Sequence, residues 1–242
     1  MKIGILHTGL VPEPLKENHK SYAKMFMSLL ESRSKAFTFR TYEVLEMDFP
    51  VCAKECDGWI ITGSKYGVYE DHPWIEPLSD LVRKIAKIKS PLLGVCFGHQ
   101  LIAQALGGQV ESSEKGWGLG LDTYRIKHQH KPECMSNIND TEISLNIFHQ
   151  DQVTRLPEGA KVFAKSDFCN NAGFYIDQHI LTIQAHPEFS LSYNQDLLHF
   201  YRDSAIPLTV IDCALVQLEN EAEKLNKTFL DSIKQFFLPR QV

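Results

Sequence analysis

At 242 residues, with 43% hydrophobic and 23% charged side chains, the chain has the balance of one ordinary globular α/β domain and not of a disordered segment. A net charge of −5 argues against any role that depends on neutralising phosphates, so no nucleic-acid partner is expected. No apolar stretch reaches the roughly 20 residues that cross a bilayer. The short run after Met1 is stopped by His7, Thr8 and Gly9 before it resembles a secretory signal, so a cytoplasmic location away from membranes is the expectation. Cys52, Cys56, Cys96, Cys134, Cys169 and Cys213 are scattered and lack the spacing of a metal site. Neither disulfides nor a metal or organic cofactor is expected.

In chain order, Lys2–His7 reads as a short apolar strand. Tyr22, Met25, Phe26, Leu29 and Leu30 then recur at helical spacing. Residues 37–44 alternate as a strand does, and residues 58–62 form an apolar strand that ends at Gly63. Residues 74–89 read as a helix with Leu78, Leu81, Val82 and Ile85 on one face. Leu92–Val95 is a buried strand, followed by a helix over 100–106 closed by Gly107 and Gly108. Strands that alternate with helices predict a parallel sheet covered on both faces. From about residue 109 the pattern changes to strand-like runs at 123–126, 144–148, 161–164, 173–175 and Ile180–Ile183, which predicts hairpins attached to that sheet. After Phe189 helical spacing returns. A single long helix is expected over 215–237, with Leu218, Ala222, Leu225, Phe229 and Ile233 on its apolar face and the charge run 219–227 on its solvated face. The domain reading is a catalytic domain over 1–190 and a helical extension over 191–242 packed on it.

Gly94-Val95-Cys96-Phe97-Gly98 has the form G-x-C-x-G between an apolar strand and a helix, the context of a nucleophile elbow. A sharp strand-to-helix turn crowds the positions two before and two after the nucleophile, and glycine there removes the offending Cβ atoms. The turn presents the sulfur at the carboxyl end of the sheet. The start of the following helix offers free N–H groups to a developing oxyanion. Taken alone, such a motif also describes a buried cysteine in a glycine-rich turn.

A thiol nucleophile needs a base, and the base needs a group to orient it. Gln184-Ala185-His186-Pro187-Glu188 follows the strand at 180–183, and two residues separated by one can project to the same side. Glu188 can then hold one ring nitrogen of His186 while the other faces Cys96. Alone, His-Pro-Glu also describes an exposed loop.

Together, Gly94-Val95-Cys96-Phe97-Gly98-His99-Gln100 and His186-Pro187-Glu188 resemble the class I (triad) glutamine amidotransferases, and in particular the glutaminase domain of GMP synthase and its free-standing relatives. The resemblance implies a flavodoxin-like, doubly wound sheet with added antiparallel hairpins and a helical C-terminal extension. It implies a Cys96–His186–Glu188 triad that releases ammonia from glutamine through a γ-glutamyl thioester. It places the oxyanion hole at the backbone of Phe97 with Ser64 and Gly63, although Ser64-Lys65 departs from the Gly-Pro of the family loop. It assigns substrate contacts to Gln100 and to the backbone of His149-Gln150-Asp151. Trp117 is expected in the core or pocket wall, His99 in a structural role, and His128 and His130 at the surface. The chain carries no pyrophosphatase or phosphate-binding loop. The partner is therefore a small γ-glutamyl molecule, with a separate synthase subunit or a homodimer left open. A γ-glutamyl peptidase acting on glutathione-like conjugates is the alternative activity, and a non-catalytic regulatory module the third reading.

Overall fold

The structure is a computed structural model that describes residues 1–31, 36–221 and 228–238. In chain order the strands are β1 (Lys2–His7), β2 (Thr38–Glu43), β3 (Gly58–Ile61), β4 (Leu92–Val95), β5 (Gln109–Ser112), β6 (Gly118–Ile126), β7 (Glu142–His149), β8 (Asp151–Arg155), β9 (Lys161–Lys165), β10 (Gly173–Ile176) and β11 (Ile180–Ile183). The helices are α1 (Tyr22–Glu31), α2 (Ile75–Lys87), α3 (Phe97–Ala105), α4 (Leu191–Phe200), α5 (Leu208–Glu221) and α6 (Thr228–Phe237). Among the described residues nine strands form one sheet in the order β2-β1-β3-β4-β11-β10-β9-β6-β7. The first five run parallel, and the last four extend them antiparallel. The parallel half follows the 2-1-3-4-5 order of a flavodoxin-like sheet, with β11 as its fifth strand.

Of the parallel strands, β1, β3, β4 and β11 are apolar on both faces because helices cover both, whereas the edge strand β2 is largely polar and exposed. Ile3, Ile5, Ile60, Leu93, Val95, Leu181 and Ile183 pack on one side with Phe26 of α1 and Phe229 and Ile233 of α6. Leu6, Trp59, Ile61, Leu92 and Ile180 pack on the other with Leu78 and Val82 of α2 and Leu101 and Ile102 of α3. The alternation follows from the two-residue period of a strand. Each fully buried Ile or Leu contributes about 1.5–3 kcal/mol. A third cluster joins Leu119 and Leu121 of β6 to Ile211, Ala214 and Leu218 of α5.

Several boundaries depart from the sequence expectation. The helix expected over 100–106 begins at Phe97, directly after the elbow, so the nucleophile candidate caps it. The strands expected at 123–126 and 144–148 are parts of longer strands, the end of β6 and the middle of β7, which pair along their lengths. β5 and β8 were not expected, and they form a small separate two-stranded antiparallel sheet. The single helix expected over 215–237 is two helices, α5 and α6. Ala222, Leu225 and most of the charge run lie outside the described residues. Leu218 packs on the β6 flank whereas Phe229 and Ile233 pack on the parallel core, so one straight helix could not serve both.

Candidate active site

Registration of four neighbouring strands assembles the site. Val95 of β4 pairs with Ile183 of β11, and Gly94 pairs with Ile61 of β3. Leu6 of β1 pairs with Ile61. Residues just beyond these strand ends therefore emerge side by side at the carboxyl edge of the sheet: Thr8, Thr62 and Gly63, Cys96, and His186.

Cys96 is 5% exposed and sits at the N-cap of α3 with φ 51° and ψ −105°. A non-glycine residue at that φ is strained. The strain is held from both sides. The Cys96 N–H donates to Ile183 O at 2.9 Å. A Cβ on Gly94 would lie 2.6 Å from Gly98 O, and one on Gly98 would lie 2.4 Å from Ile61 O. Both glycines are thus required for the turn to close. As the first residue of α3, Phe97 has a backbone N–H without an intrahelical acceptor.

His186 follows β11, and its N–H donates to Asn146 O at 2.8 Å. Its Nδ1 is 2.8 Å from Glu188 Oε1, with the two side chains 5% and 0% exposed. A Cβ on Gly63 would lie 2.7 Å from His186 Cε1 and 3.7 Å from Cys96 Cβ, so both side chains flank one point on the Gly63 loop. Burial, the largest single effect, depresses the His186 pKa, but the charges of Glu188 and then Cys96 act together against it and carry it up to about 10. Glu188 Oε2 has no hydrogen-bond partner among the described residues, so the carboxylate's one directed contact is with His186. The pair can hold a proton at neutral pH and deliver it to a leaving group.

The opposite wall is built from the turn between β7 and β8. Phe148, His149, Gln150 and Asp151 all line the cleft, with Phe148 O 4.0 Å from Cys96 Sγ. Gln100 also lines it, but both its Nε2 hydrogens are engaged, with Asp151 O at 2.9 Å and Gln184 Oε1 at 3.1 Å. Its side chain therefore fixes the backbone carbonyl of Asp151. Ser64 lines the cleft beside Cys96. Trp117 is a wall residue, edge-on to Phe148. His99 is buried against Thr182 Oγ1 at 2.9 Å, and burial lowers its pKa to about 3. His128 and His130 are exposed. All six cysteines are free thiols.

Sequence reasoning missed three contributors. Phe189 stacks on His186 with ring centroids 3.9 Å apart and planes 12° apart, fixing the imidazole from its flat side. Its position directly after His-Pro-Glu was the available signal. Tyr69 donates to Asp151 Oδ2 at 2.9 Å from a loop remote in sequence, and no motif marks it. Asn146 carries the His186 N–H and donates to Phe189 O at 3.0 Å. The cleft as a whole encloses about 690 Å³ and continues past Cys96 between the loop at 9–16 and the segment Leu197, Phe200 and Tyr201.

Known proteins share both the sequence pattern and the fold. The chain matches the family described as glutamine amidotransferase class-I over residues 15–202. It is 32% identical to gamma-glutamyl peptidase 4 of Arabidopsis thaliana, over 93% of this chain and 90% of that protein. It is 28% identical to one subunit of the glutamine-hydrolyzing GMP synthase of Halobacterium salinarum, over 71% and 86% of the two chains. A glutamine amidotransferase from Thermotoga maritima has the same fold, with a TM-score of 0.78 at 18% identity and coverage of 98% and 97%.

Proposed function

The chain belongs to the class I glutamine amidotransferase family, and from that premise we propose that it hydrolyses γ-glutamyl peptides with Cys96 as nucleophile, His186 as proton carrier and Glu188 as its anchor. The observation that carries this reading is the meeting of a strained, helix-capping cysteine and a carboxylate-anchored histidine around Gly63 at the floor of a cleft. In the proposed sequence His186 takes the Cys96 thiol proton, the resulting thiolate sulfur attacks the γ-carbonyl carbon, and the carbonyl electrons move onto oxygen. The resulting oxyanion is received by the backbone N–H groups of Phe97 and of the Gly63–Ser64 loop. As the oxyanion collapses the C–N bond breaks, and protonated His186 gives its proton to the departing amine. A γ-glutamyl thioester remains. His186, now neutral, takes a proton from water as the water attacks, collapse breaks the C–S bond and releases glutamate, and protonated His186 returns its proton to the Cys96 sulfur. Glu188 stays ionised throughout and stabilises the imidazolium.

The sequence reading placed glutamine first. Two observations move a peptide ahead of it. Four of the similar curated proteins are gamma-glutamyl peptidases of A. thaliana. The cleft of about 690 Å³ lies within the size of sites for drug-sized ligands, about 300–1,000 Å³, and besides Cys96 and His186 it is lined by Val11, Tyr22, Leu197 and Tyr201, which leaves room for a leaving group larger than ammonia. Asp151 and the backbone of His149 and Gln150 then face the α-amino and α-carboxylate groups of the γ-glutamyl end. Glutamine hydrolysis, alone or beside a synthase partner, is the second reading, favoured by the likeness to the H. salinarum GMP synthase. The test is turnover of glutathione, γ-glutamyl dipeptides and glutamine by purified protein without ATP, with Cys96→Ala as blank. Glutathione is expected to exceed glutamine in kcat/KM by about tenfold or more, the discrimination that leaving-group contacts typically confer. A preference for glutamine, or activity only when a second protein is added, would contradict the peptidase reading.

A further inference from the structure

The Gly63–Ser64 loop departs from the family pattern in sequence, and something other than that pattern must hold its amides in place. Thr8 and Thr62 are both fully buried. The Thr8 N–H donates to Thr62 Oγ1 at 3.0 Å. The Thr8 hydroxyl lies 2.9 Å from Thr62 O and 3.3 Å from Gly63 O. The Thr62 hydroxyl lies 3.2 Å from Gly63 O and 3.1 Å from the Thr8 hydroxyl. Two hydroxyl protons thus serve two successive carbonyls, both turned toward β1. Gly9 makes the approach feasible, because a Cβ there would lie 2.4 Å from Gly63 O.

Peptide planarity converts this into a statement about donors. All peptides among the described residues are trans, and in a trans unit the N–H points opposite to the C=O. With the carbonyls of Thr62 and Gly63 drawn to the Thr8 side, the N–H groups of Gly63 and Ser64 face away from it. Successive N–H groups on one side of the chain form an anion-receiving concavity. Gly63 borders Cys96 and His186, and Ser64 lines the cleft.

We infer that Thr8, acting with Thr62, is a positioning residue that locks the Gly63–Ser64 amides in the oxyanion-receiving orientation within the isolated chain. The inference rests on the proposed γ-glutamyl hydrolysis and names what makes that site ready without a partner. Thr8 does not touch the substrate. Its removal therefore acts on the transition-state charge and spares substrate binding.

The experiment compares wild type, Thr8→Val and Thr8→Ser for γ-glutamyl turnover and for alkylation of Cys96 by iodoacetamide, a reaction that forms no oxyanion. Losing one preorganised donor costs about two to three orders of magnitude in rate. Thr8→Val, which loosens both donors without deleting them, is expected to lower kcat by about 10–100-fold. KM and the Cys96 alkylation rate should stay within about twofold of wild type, and Thr8→Ser should restore most of kcat. An unchanged kcat in Thr8→Val overturns the inference. Equal losses in turnover and alkylation also overturn it, because they place the effect on the elbow or the fold. If Thr8→Val does not fold, Thr62→Val is measured in the same way and must give the same split between kcat and KM. A wild type that is alkylated at Cys96 but turns over no γ-glutamyl substrate would overturn the proposed function first, and the lock with it.

Discussion

Two corners of the cleft bury a histidine equally well and use it in opposite ways. At the corner between β11 and α4, His186 is 4% exposed, and at the corner between β7 and β8, His149 is also 4% exposed. Burial penalises the imidazolium at both, and at both it is the largest single effect. His186 faces the Glu188 carboxylate at 2.8 Å, and its pKa rises to about 10. His149 Nδ1 meets the Asp151 carbonyl at 3.1 Å, and its pKa falls to about 4, with the charge of His186 pushing it the same way. A dipole does not repay the loss of hydration, whereas a full charge in a dry site does. The difference teaches that the charge state of a buried histidine is set by its partner and not by its depth.

The largest expected effect breaks the first corner at its centre. Cys96→Ala should lower γ-glutamyl turnover by at least about a thousandfold, as loss of a nucleophile does when its partners act as a unit, and a glutamine-like electrophile should label wild type at Cys96 alone. Peptide mapping that places the label on the exposed Cys52 or Cys213 would defeat the assignment.

Next comes conversion of one corner into the other. Glu188→Gln leaves His186 with a neutral partner, as His149 has, and should lower kcat by about 10²–10⁴-fold. His186→Ala should cost at least as much, and the double substitution little more than either one, since the pair acts together. The pH dependence of stability gives a second reading of the same change. His186 has a folded pKa raised above its unfolded value, so its contribution to stability is fully present below about pH 6.5 and is lost as pH rises toward about 10. His149 has a lowered folded pKa, so its contribution is present above about pH 6.5 and is lost as pH falls toward about 4. Thermal melts should show Glu188→Gln flattening the alkaline limb and steepening the acid limb, as a second buried histidine with a neutral partner would. Parallel curves for the two proteins would contradict the charge-partner account.

A smaller effect comes from the support behind His186. Phe189→Ala removes the ring stacked on the imidazole at 3.9 Å and should destabilise the protein by about 3 kcal/mol, which is about 6–12 °C in midpoint for a chain of this size. Turnover measured well below that midpoint should fall about tenfold, or 1.4 kcal/mol in barrier. A rate unchanged at full occupancy of the folded state would show that the ring is packing only.

The smallest effect tests the second corner. Tyr69→Phe removes the hydroxyl that donates to Asp151 Oδ2, a partly exposed bond worth about 1 kcal/mol. KM for γ-glutamyl substrates should rise about fivefold with kcat nearly unchanged. A fall in kcat without a change in KM would move Asp151 from binding the substrate to supporting the reacting atoms.

The amino-acid sequence alone determined those features that rest on local sterics and on period. G-x-C-x-G between a strand and a helix specifies an elbow because Gly94 and Gly98 are the positions where a Cβ would strike backbone. The apolar runs at 2–7, 58–61, 92–95 and 180–183 specify buried parallel strands because both their faces are covered. His-Pro-Glu after a strand end marked His186 and Glu188 as a pair, and in the structure they are one. The tertiary structure decided everything that depends on which strand ends emerge together. The pairing of Val95 with Ile183, eighty-odd positions apart, brings the cysteine and the histidine to one point, and the pairing of Leu6 with Ile61 sets Thr8 against Thr62. Tyr69 reaches Asp151 from a loop that carries no repeating signal, and Gln100 of α3 turns its amide to the Asp151 carbonyl, a contact between elements remote in sequence. The break between α5 and α6 was hidden for the same reason. Helical spacing reports that a face is apolar, but not that Leu218 and Phe229 face different parts of the sheet.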